Sequence, residues 1–403
     1  MKKIFSGVLS LNKPIEPQNP VQWYSNKIAG VPFALRNILT LQRVNIKNLA
    51  IFMEDPDGEL KKSFSKILDD SRISLELVWI GNIDQLKKWI QNNPDPIYIF
   101  KGSVLYDKKT LHDLLYSSHK NEAALSSILP VDLNHLENTL IESPNRSPVD
   151  SSINRTEEPS TGFPVYIQGS KENEIQKPED FKTLHEAQVS GSGLNHDSPI
   201  TRILSRPASH LITRWLLNTP ITPNQITLFS FFLGLLSAVL FLQGDYWTSI
   251  TASTLLILST WVDGADGEIA RIKFMETATG KILDIYCDNI IHFLIFSAIG
   301  YGVYDKTGQN MYLYLGGLAG LASLLAFFLL SPILIENRSS DKQMSHYIEP
   351  SLAEKFANRD FIHFVFLVAV IDQLGLFIMI AAVGASLFAG FLIYSRVSKP
   401  RAV

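Results

Sequence analysis

The chain has 403 residues, 46% of them hydrophobic and 19% charged, with 36 Lys and Arg against 39 Asp and Glu for a formal net charge of -3. A single cysteine excludes an internal disulfide framework, the lack of basic excess argues against nucleic acid as a partner, and the apolar content is too high for a disordered chain. The length points to about two or three domains.

The apolar run at the start breaks at Asn12-Lys13-Pro14, too early for a secretory signal. Four strand-length apolar runs follow in order, IFSGVLSL, NLAIFM, LELVWIG and PIYIF. The segments between them, PFALRNILTLQRVN, LKKSFSKILDD and IDQLKKWIQNN, have helical periodicity. Strand and helix in alternation predict a parallel sheet covered on both faces over residues 1 to about 130. From about 140 the text turns polar, with one strand-like piece, FPVYIQG, and a sequon at Asn154-Arg155-Thr156 that matters only if this half is exported. The expected division is a cytoplasmic α/β domain over 1–195, an interfacial helix and linker over 196–224, and a membrane domain over 225–403.

ILSRPASHLITRWLLN, just before the first long apolar stretch, puts apolar residues on one helix face and Arg on the other. It is expected to lie along a bilayer surface, a plain linker helix being the alternative. Apolar stretches then run over 226–242, 246–262, 282–304, 311–335 and 361–394, the last broken at Asp372-Gln373-Leu374-Gly375. A span needs about 20 helical residues, so six spans are expected. Arg202, Arg206 and Arg214 precede the first; Arg271, Lys273 and Lys281 lie between the second and third; Arg338 and Lys342 lie between the fourth and fifth; Arg396, Lys399 and Arg401 follow the sixth. The intervening connections carry only Lys306, which puts both termini in the cytoplasm of an inner-membrane protein.

The chemistry lies in DGADGEIARIKFMETATGKILDIYCD, residues 263–288. Asp263, Asp266, Gly267, Ala270 and Arg271 make one helical stripe, and Gly280, Asp284 and Asp288 make another on the next helix. Four carboxylates can therefore converge at the ends of adjacent helices. Each costs about 2.5–3.5 kcal/mol to place within a span, and together they repel unless cations bind between them. Two divalent ions, Mg²⁺ or Mn²⁺, suit these hard oxygen donors, and the glycines leave room for a phosphate or nucleotide. Singly, each residue also has a plain role: the acids as helix-end residues, Arg271 as a membrane anchor, and Gly267 and Gly280 as packing contacts. Cys287 should face away from the acid stripe, and His292 sits one turn beyond Asp288, within reach of the acids or satisfied inside the bundle.

The string Asp263-x-x-Asp266-Gly267-x-x-Ala270-Arg271, eight residues, Gly280-x-x-x-Asp284-x-x-x-Asp288 resembles the signature of the CDP-alcohol phosphotransferases without a mismatch. The likeness covers about residues 200–395, including Thr222-Pro223-Asn224-Gln225-Ile226-Thr227. It implies a membrane enzyme that moves a phospho-alcohol group from a CDP-linked donor to an acceptor hydroxyl and releases CMP, as in phospholipid biosynthesis. Asp263, Asp266, Asp284 and Asp288 would be metal ligands, with Asp288 also the base. Gly267, Ala270, Arg271, Gly280, Asn224 and Thr227 would line the nucleotide and phosphate pocket, and a homodimer is implied. No Cys, His or Ser stands in a nucleophile-and-base arrangement, so direct transfer is expected. Lys281, Lys273 and Arg206 are candidates for binding the phosphate of a phosphorylated acceptor, with Arg202 and Arg359 also near the expected mouth. Each could equally be a membrane anchor.

In the first half, Ala29-Gly30-Val31-Pro32-Phe33-Ala34-Leu35-Arg36-Asn37-Ile38-Leu39 and the strand Asn48-Leu49-Ala50-Ile51-Phe52 resemble Rossmann-like nucleotidyltransferases, some of which occur fused to such membrane domains. The text departs from that family where a triphosphate would bind. Ser6-Gly7-Val8-Leu9-Ser10-Leu11-Asn12-Lys13-Pro14 keeps one glycine, and the strand end expected to carry a metal-binding Asp reads Tyr98-Ile99-Phe100-Lys101-Gly102-Ser103. A non-catalytic domain is the first expectation and a bifunctional enzyme making its own CDP-alcohol the second. A cation-coupled transporter is the third, disfavoured because no repeated half with matching broken helices is visible.

Overall fold

The computed structural model describes residues 5–12, 14, 18–93, 95–116, 128–131, 133, 136, 140, 164–167, 169–191, 201–339 and 361–398, with the backbone alone over 128–130, 332–339 and 396–398. The sequon, Lys342, Arg359, Lys399 and Arg401 lie outside the described residues, as do the side chains of Arg338 and Arg396. Two compact units result, Met1–Gln188 and Val189–Val403.

The first unit is built on β1 (Phe5–Ser10), α1 (Pro20–Ser25), the hairpin strands β2 (Lys27–Ile28) and β3 (Val31–Pro32), α2 (Phe33–Arg43), β4 (Ile46–Phe52), α3 (Glu59–Ser63), α4 (Ser65–Leu68) and β5 (Glu76–Ile80). It continues with α5 (Ile83–Gln91), β6 (Ile97–Lys101), α6 (Lys108–Tyr116), β7 (Ile128–Pro130), β8 (Val165–Ile167) and α7 (Pro178–Ser190). Six strands form one sheet in the order β5-β4-β1-β6-β8-β7, parallel except for β7. Every residue of β1 is buried, as a central parallel strand with helices on both faces requires. The strand-like piece of the polar region is β8, and it pairs with β6, so the sheet runs beyond the residues assigned to it from periodicity. Strand order reverses between β1 and β6, the edge at which such sheets bind ligands.

The second unit is helical. After a π-helical turn at Thr201–Ser205 come α8 (Arg206–Leu216), α9 (Pro223–Phe241), α10 (Tyr246–Ile272), α11 (Ala278–Thr307), α12 (Asn310–Ser339), α13 (Phe361–Val370) and α14 (Leu374–Ser398). Their starts follow local chemistry. Thr222 and Gln225 form a capping box with Pro223 in the first turn of α9. Asp245 accepts from Trp247 N and Thr248 N to open α10, and Thr277 accepts from Gly280 N to open α11. Among the described residues, four helices are long and apolar enough to cross a membrane: Pro223–Phe241, Ala278–Thr307, Asn310–Ser331 and Leu374–Ser395. The other two of the six expected spans are helices of different character. In α10, Ser and Thr residues and the terminal Asp263, Asp266, Glu268 and Arg271 lower the hydropathy, and ten-residue α13 reaches only about 15 Å, half a bilayer core.

Phe241, Leu256, Ile295, Ile299, Val365 and Ile378 form the centre of the helical core. At the helix ends remote from the acids the packing is backbone to backbone. A Cβ on Gly302 would lie 2.1 Å from the Phe241 carbonyl, and one on Gly244 2.1 Å from the Gly302 carbonyl. Tyr246 Oη donates to Val370 O at 3.0 Å there, and Lys306 pairs with Asp372 at 2.7 Å. Between α11 and α12, a Cβ on Gly300 would come within 2.6 Å of Gly316 Cα. The small residues around Gly316 thus pack inside the chain, with Gly320 against Ser297 and Phe293.

Candidate active site

The acids meet near the connection between α10 and α11. Asp263, Asp284 and Asp288 each bring a carboxylate oxygen to within 4.8 Å of the other two, a group able to hold a metal ion. Asp263 and Asp266 are buried. Asp266 accepts a hydrogen bond from Thr227 Oγ1, and Asp263 accepts one from Ser230 Oγ at 3.3 Å, so two hydroxyls of α9 orient two acids of α10. Thr227, expected to touch nucleotide, is bonded to Asp266 and buried.

At the terminal side of the acids, Asn224 Oδ1 sits 2.7 Å from where a Gly280 Cβ would be, so the first turns of α9 and α11 meet only because residue 280 has no side chain. The space over Gly267 is taken by the Arg271 guanidinium, with Nη1 3.2 Å from a notional Cβ. Arg271 thus folds back one turn over Gly267. The Arg271 Nε is buried without a hydrogen-bond partner among the described residues. Ala270 is half-buried on the same helix.

The candidate phosphate-binding cations divide. Arg206 Nη1 donates to Glu268 Oε1 at 2.7 Å, and the fully buried Glu268 also accepts from Thr213 Oγ1 at 2.8 Å and Ser209 Oγ at 3.4 Å. His210 Nδ1 lies 3.1 Å from Glu268 Oε2. Lys273 is buried and donates to the carbonyls of Thr219 at 2.8 Å and Leu216 at 3.4 Å, which tethers the end of α8 to the end of α10. Arg206 and Lys273 therefore have structural partners, while Lys281 is half-buried in the first turn of α11. Glu268 went unnoticed in the sequence because its chief partner lies 62 residues away.

A small cavity adjoins the acids, with Asp263 and Asp288 in its wall. Cys287, expected to face away, lines it too. A helix places consecutive residues about 100° apart, and the cavity spreads beyond the single stripe of acids. His292 is a lining residue and packs edge-on to Phe361 with ring centroids 5.1 Å apart.

The comparisons agree with the motif and the geometry. Residues 220–391 match the CDP-alcohol phosphatidyltransferase family. Relatives called "Bifunctional IPC transferase and DIPP synthase" are similar over part of their length. The one from Rubrobacter xylanophilus is 30% identical over 34% of this chain and 30% of its own. That from Aquifex aeolicus is 33% identical over 31% and 28%, and that from Archaeoglobus fulgidus 32% identical over 36% and 28%. The matched stretch thus spans less than a third of these curated relatives.

The CDP-alcohol phosphatidyltransferase match lies wholly in the helical unit. In the α/β unit, the β1–β6 ladder continues where strand order reverses. Gly102 N donates to Ser10 O at 2.7 Å, and a Cβ on Gly102 would lie 2.5 Å from that oxygen. Asn37 Nδ2 holds Val104 O at 2.8 Å and Gly102 O at 3.3 Å. Lys101, at the strand end where a metal-binding Asp would be expected, is buried and paired with Glu174.

Proposed function

We propose that the helical unit is a metal-dependent phosphotransferase that moves a phospho-alcohol from a CDP-linked donor to an acceptor hydroxyl. The observation that carries this reading is the meeting of Asp263, Asp284 and Asp288 within 4.8 Å inside a membrane protein. Three anionic oxygen donors fit Mg²⁺ or Mn²⁺, with Asp266 the fourth acid of the set. Bound there, the ions supply positive charge to the phosphate oxygens as the reaction proceeds. Asp288 takes the proton of the acceptor hydroxyl, whose oxygen forms the new bond to the alcohol-bearing phosphorus. The bridging P–O bond to CMP breaks and CMP leaves. Arg271, folded over Gly267, is aimed to neutralise the diphosphate, and Asn224 and Gly280 border the nucleotide end. Lys281 is the remaining candidate for an acceptor phosphate. The basic residues near this end of the bundle favour a cytoplasmic site in an inner membrane. A homodimer completes the reading and is tested by light scattering of the purified protein.

A second reading makes the α/β unit the source of the CDP-alcohol, as the name of the similar relatives suggests for those proteins. Lys101 at the strand end, paired with Glu174, and the single glycine after β1 favour a unit without that activity. The test of the main reading is CMP release by purified full-length protein given CDP-alcohols and acceptor alcohols, with and without chelator. Metal-dependent release is expected. No release across a panel of CDP-linked donors, in protein that binds Mn²⁺, would refute it.

A further inference from the structure

We propose that Arg206 is a positioning residue for the donor: by holding the charge of Glu268 on α8, it keeps that carboxylate from capturing Arg271, whose guanidinium then stays open to an anionic ligand. This rests on the transferase reading above.

Glu268 and Arg271 stand three residues apart on α10, the spacing at which opposite charges on one helix pair. They do not pair here. The fully buried Glu268 is claimed by α8 instead: Oε1 accepts from Arg206 Nη1 at 2.7 Å and Ser209 Oγ at 3.4 Å, and Oε2 accepts from Thr213 Oγ1 at 2.8 Å with His210 Nδ1 3.1 Å away. A carboxylate has about four lone-pair sites, so these groups leave none for Arg271. Of the four, only Arg206 is a cation at every pH. Arg271 meanwhile turns back over Gly267, its Nε buried without a partner among the described residues, within electrostatic range of both Arg206 and Glu268. Without Arg206 the buried carboxylate would lose its fixed countercharge, and Arg271, one turn along the same helix, is a cation able to relieve it.

The place of α8 does not depend on Arg206 alone. Ser209 Cβ lies 3.2 Å from a notional Cβ on Gly264, Thr213 bonds Glu268, and Lys273 holds the carbonyls of Leu216 and Thr219. These contacts follow α10 for about two and a half turns, so shortening Arg206 changes the charge more than the packing. Arg206 and Glu268 together are neutral. Arg206→Ala leaves one negative charge beside Arg271, Glu268→Gln leaves one positive charge, and the double variant leaves none, as in the native protein.

The readouts are CDP affinity, by isothermal titration calorimetry on full-length protein in nanodiscs with Mg²⁺, and separate KM values for a CDP-linked donor and for the acceptor. Arg206→Ala should weaken CDP binding and raise the donor KM about tenfold, the worth of one charged contact, while the acceptor KM stays put. Glu268→Gln, which keeps the shape of the side chain, should weaken neither. The double variant should return both to within about twofold of native. A purely structural pair would be damaged by either substitution, and the Tm of each variant reports folding separately. If the double variant is as weak as Arg206→Ala, Arg206 touches the ligand itself and the proposal falls. A rise in the acceptor KM alone, equal damage from Glu268→Gln, or native protein that binds no CDP overturns it too. Donor KM and CMP release that all three variants leave unchanged sink the role of Arg206 and leave the transferase reading standing. The expected pattern of CDP binding in protein that turns over no CDP-alcohol does the reverse.

Discussion

Asp288 and Glu268 are both acids on the helices that carry the site, but they do different work. Asp288 groups with Asp263 and Asp284 and lines the cavity with Asp263, so Asp288→Asn should lower CMP release by about 10²- to 10⁴-fold while Mn²⁺ binding, read by electron paramagnetic resonance, persists. Unchanged turnover would remove it from the role of base. Glu268 is fully buried and held by Arg206, Thr213 and Ser209, so it fixes α8 on α10 two residues from Asp266. Removing one partner of a buried ion pair costs about 3–5 kcal/mol because the other charge is stranded. Glu268→Ala should lower the Tm in detergent by several degrees, and adding Arg206→Ala should restore part of the loss. If the double variant is as unstable as the two single losses added together, the pair is not coupled.

At the scale of elements, glycines decide how closely the helices approach. Gly300 and Gly316 bring α11 and α12 to backbone contact, whereas Gly317, one residue on, has nothing within 4 Å of a notional Cβ. Gly316→Val should therefore destabilise by about 1–3 kcal/mol or more, and Gly317→Ala should be nearly silent, a contrast that thermal unfolding of the two variants reads directly. Equal effects would mean that the interface is loose. The apolar face of α8 is a second case. Leu211 and Trp215 are exposed while Ser209 and Thr213 are buried against α10, the division expected of a helix lying on a bilayer surface.

At the scale of the molecule, the α/β unit should leave CTP untouched. Full-length protein given CTP and a phosphorylated alcohol should release no pyrophosphate, and steady release would restore the bifunctional reading. Much of this architecture could be read from the chain itself. β1, β4, β5 and β6 stand where the apolar runs are, and the acids stand where a period of 3.6 puts them, because both signals are local. What escaped depends on distance in sequence. The pairing of Lys101 with Glu174 spans 73 residues, and that of Thr227 with Asp266 spans 39, so neither leaves a periodic trace. The occupant of the space over Gly267 escaped for another reason: a missing side chain records that something sits close, without saying whether it is a ligand or the helix's own arginine.

The glycine contact of residues 244 and 302, with Tyr246 on Val370 and Lys306 on Asp372, ties α9, α10, α11, α13 and α14 together at the end away from the carboxylates. Like the pivot of a pair of tongs, that knot cannot spread without tearing contacts in which a backbone fills the place of a side chain. On the proposed reading, breathing that lets substrate in or CMP out then widens the jaws at the acidic end. On that reading, a mutation that loosens the pivot should disturb the grip on the diphosphate from about four to five helical turns away along α10, without touching a single group that binds it.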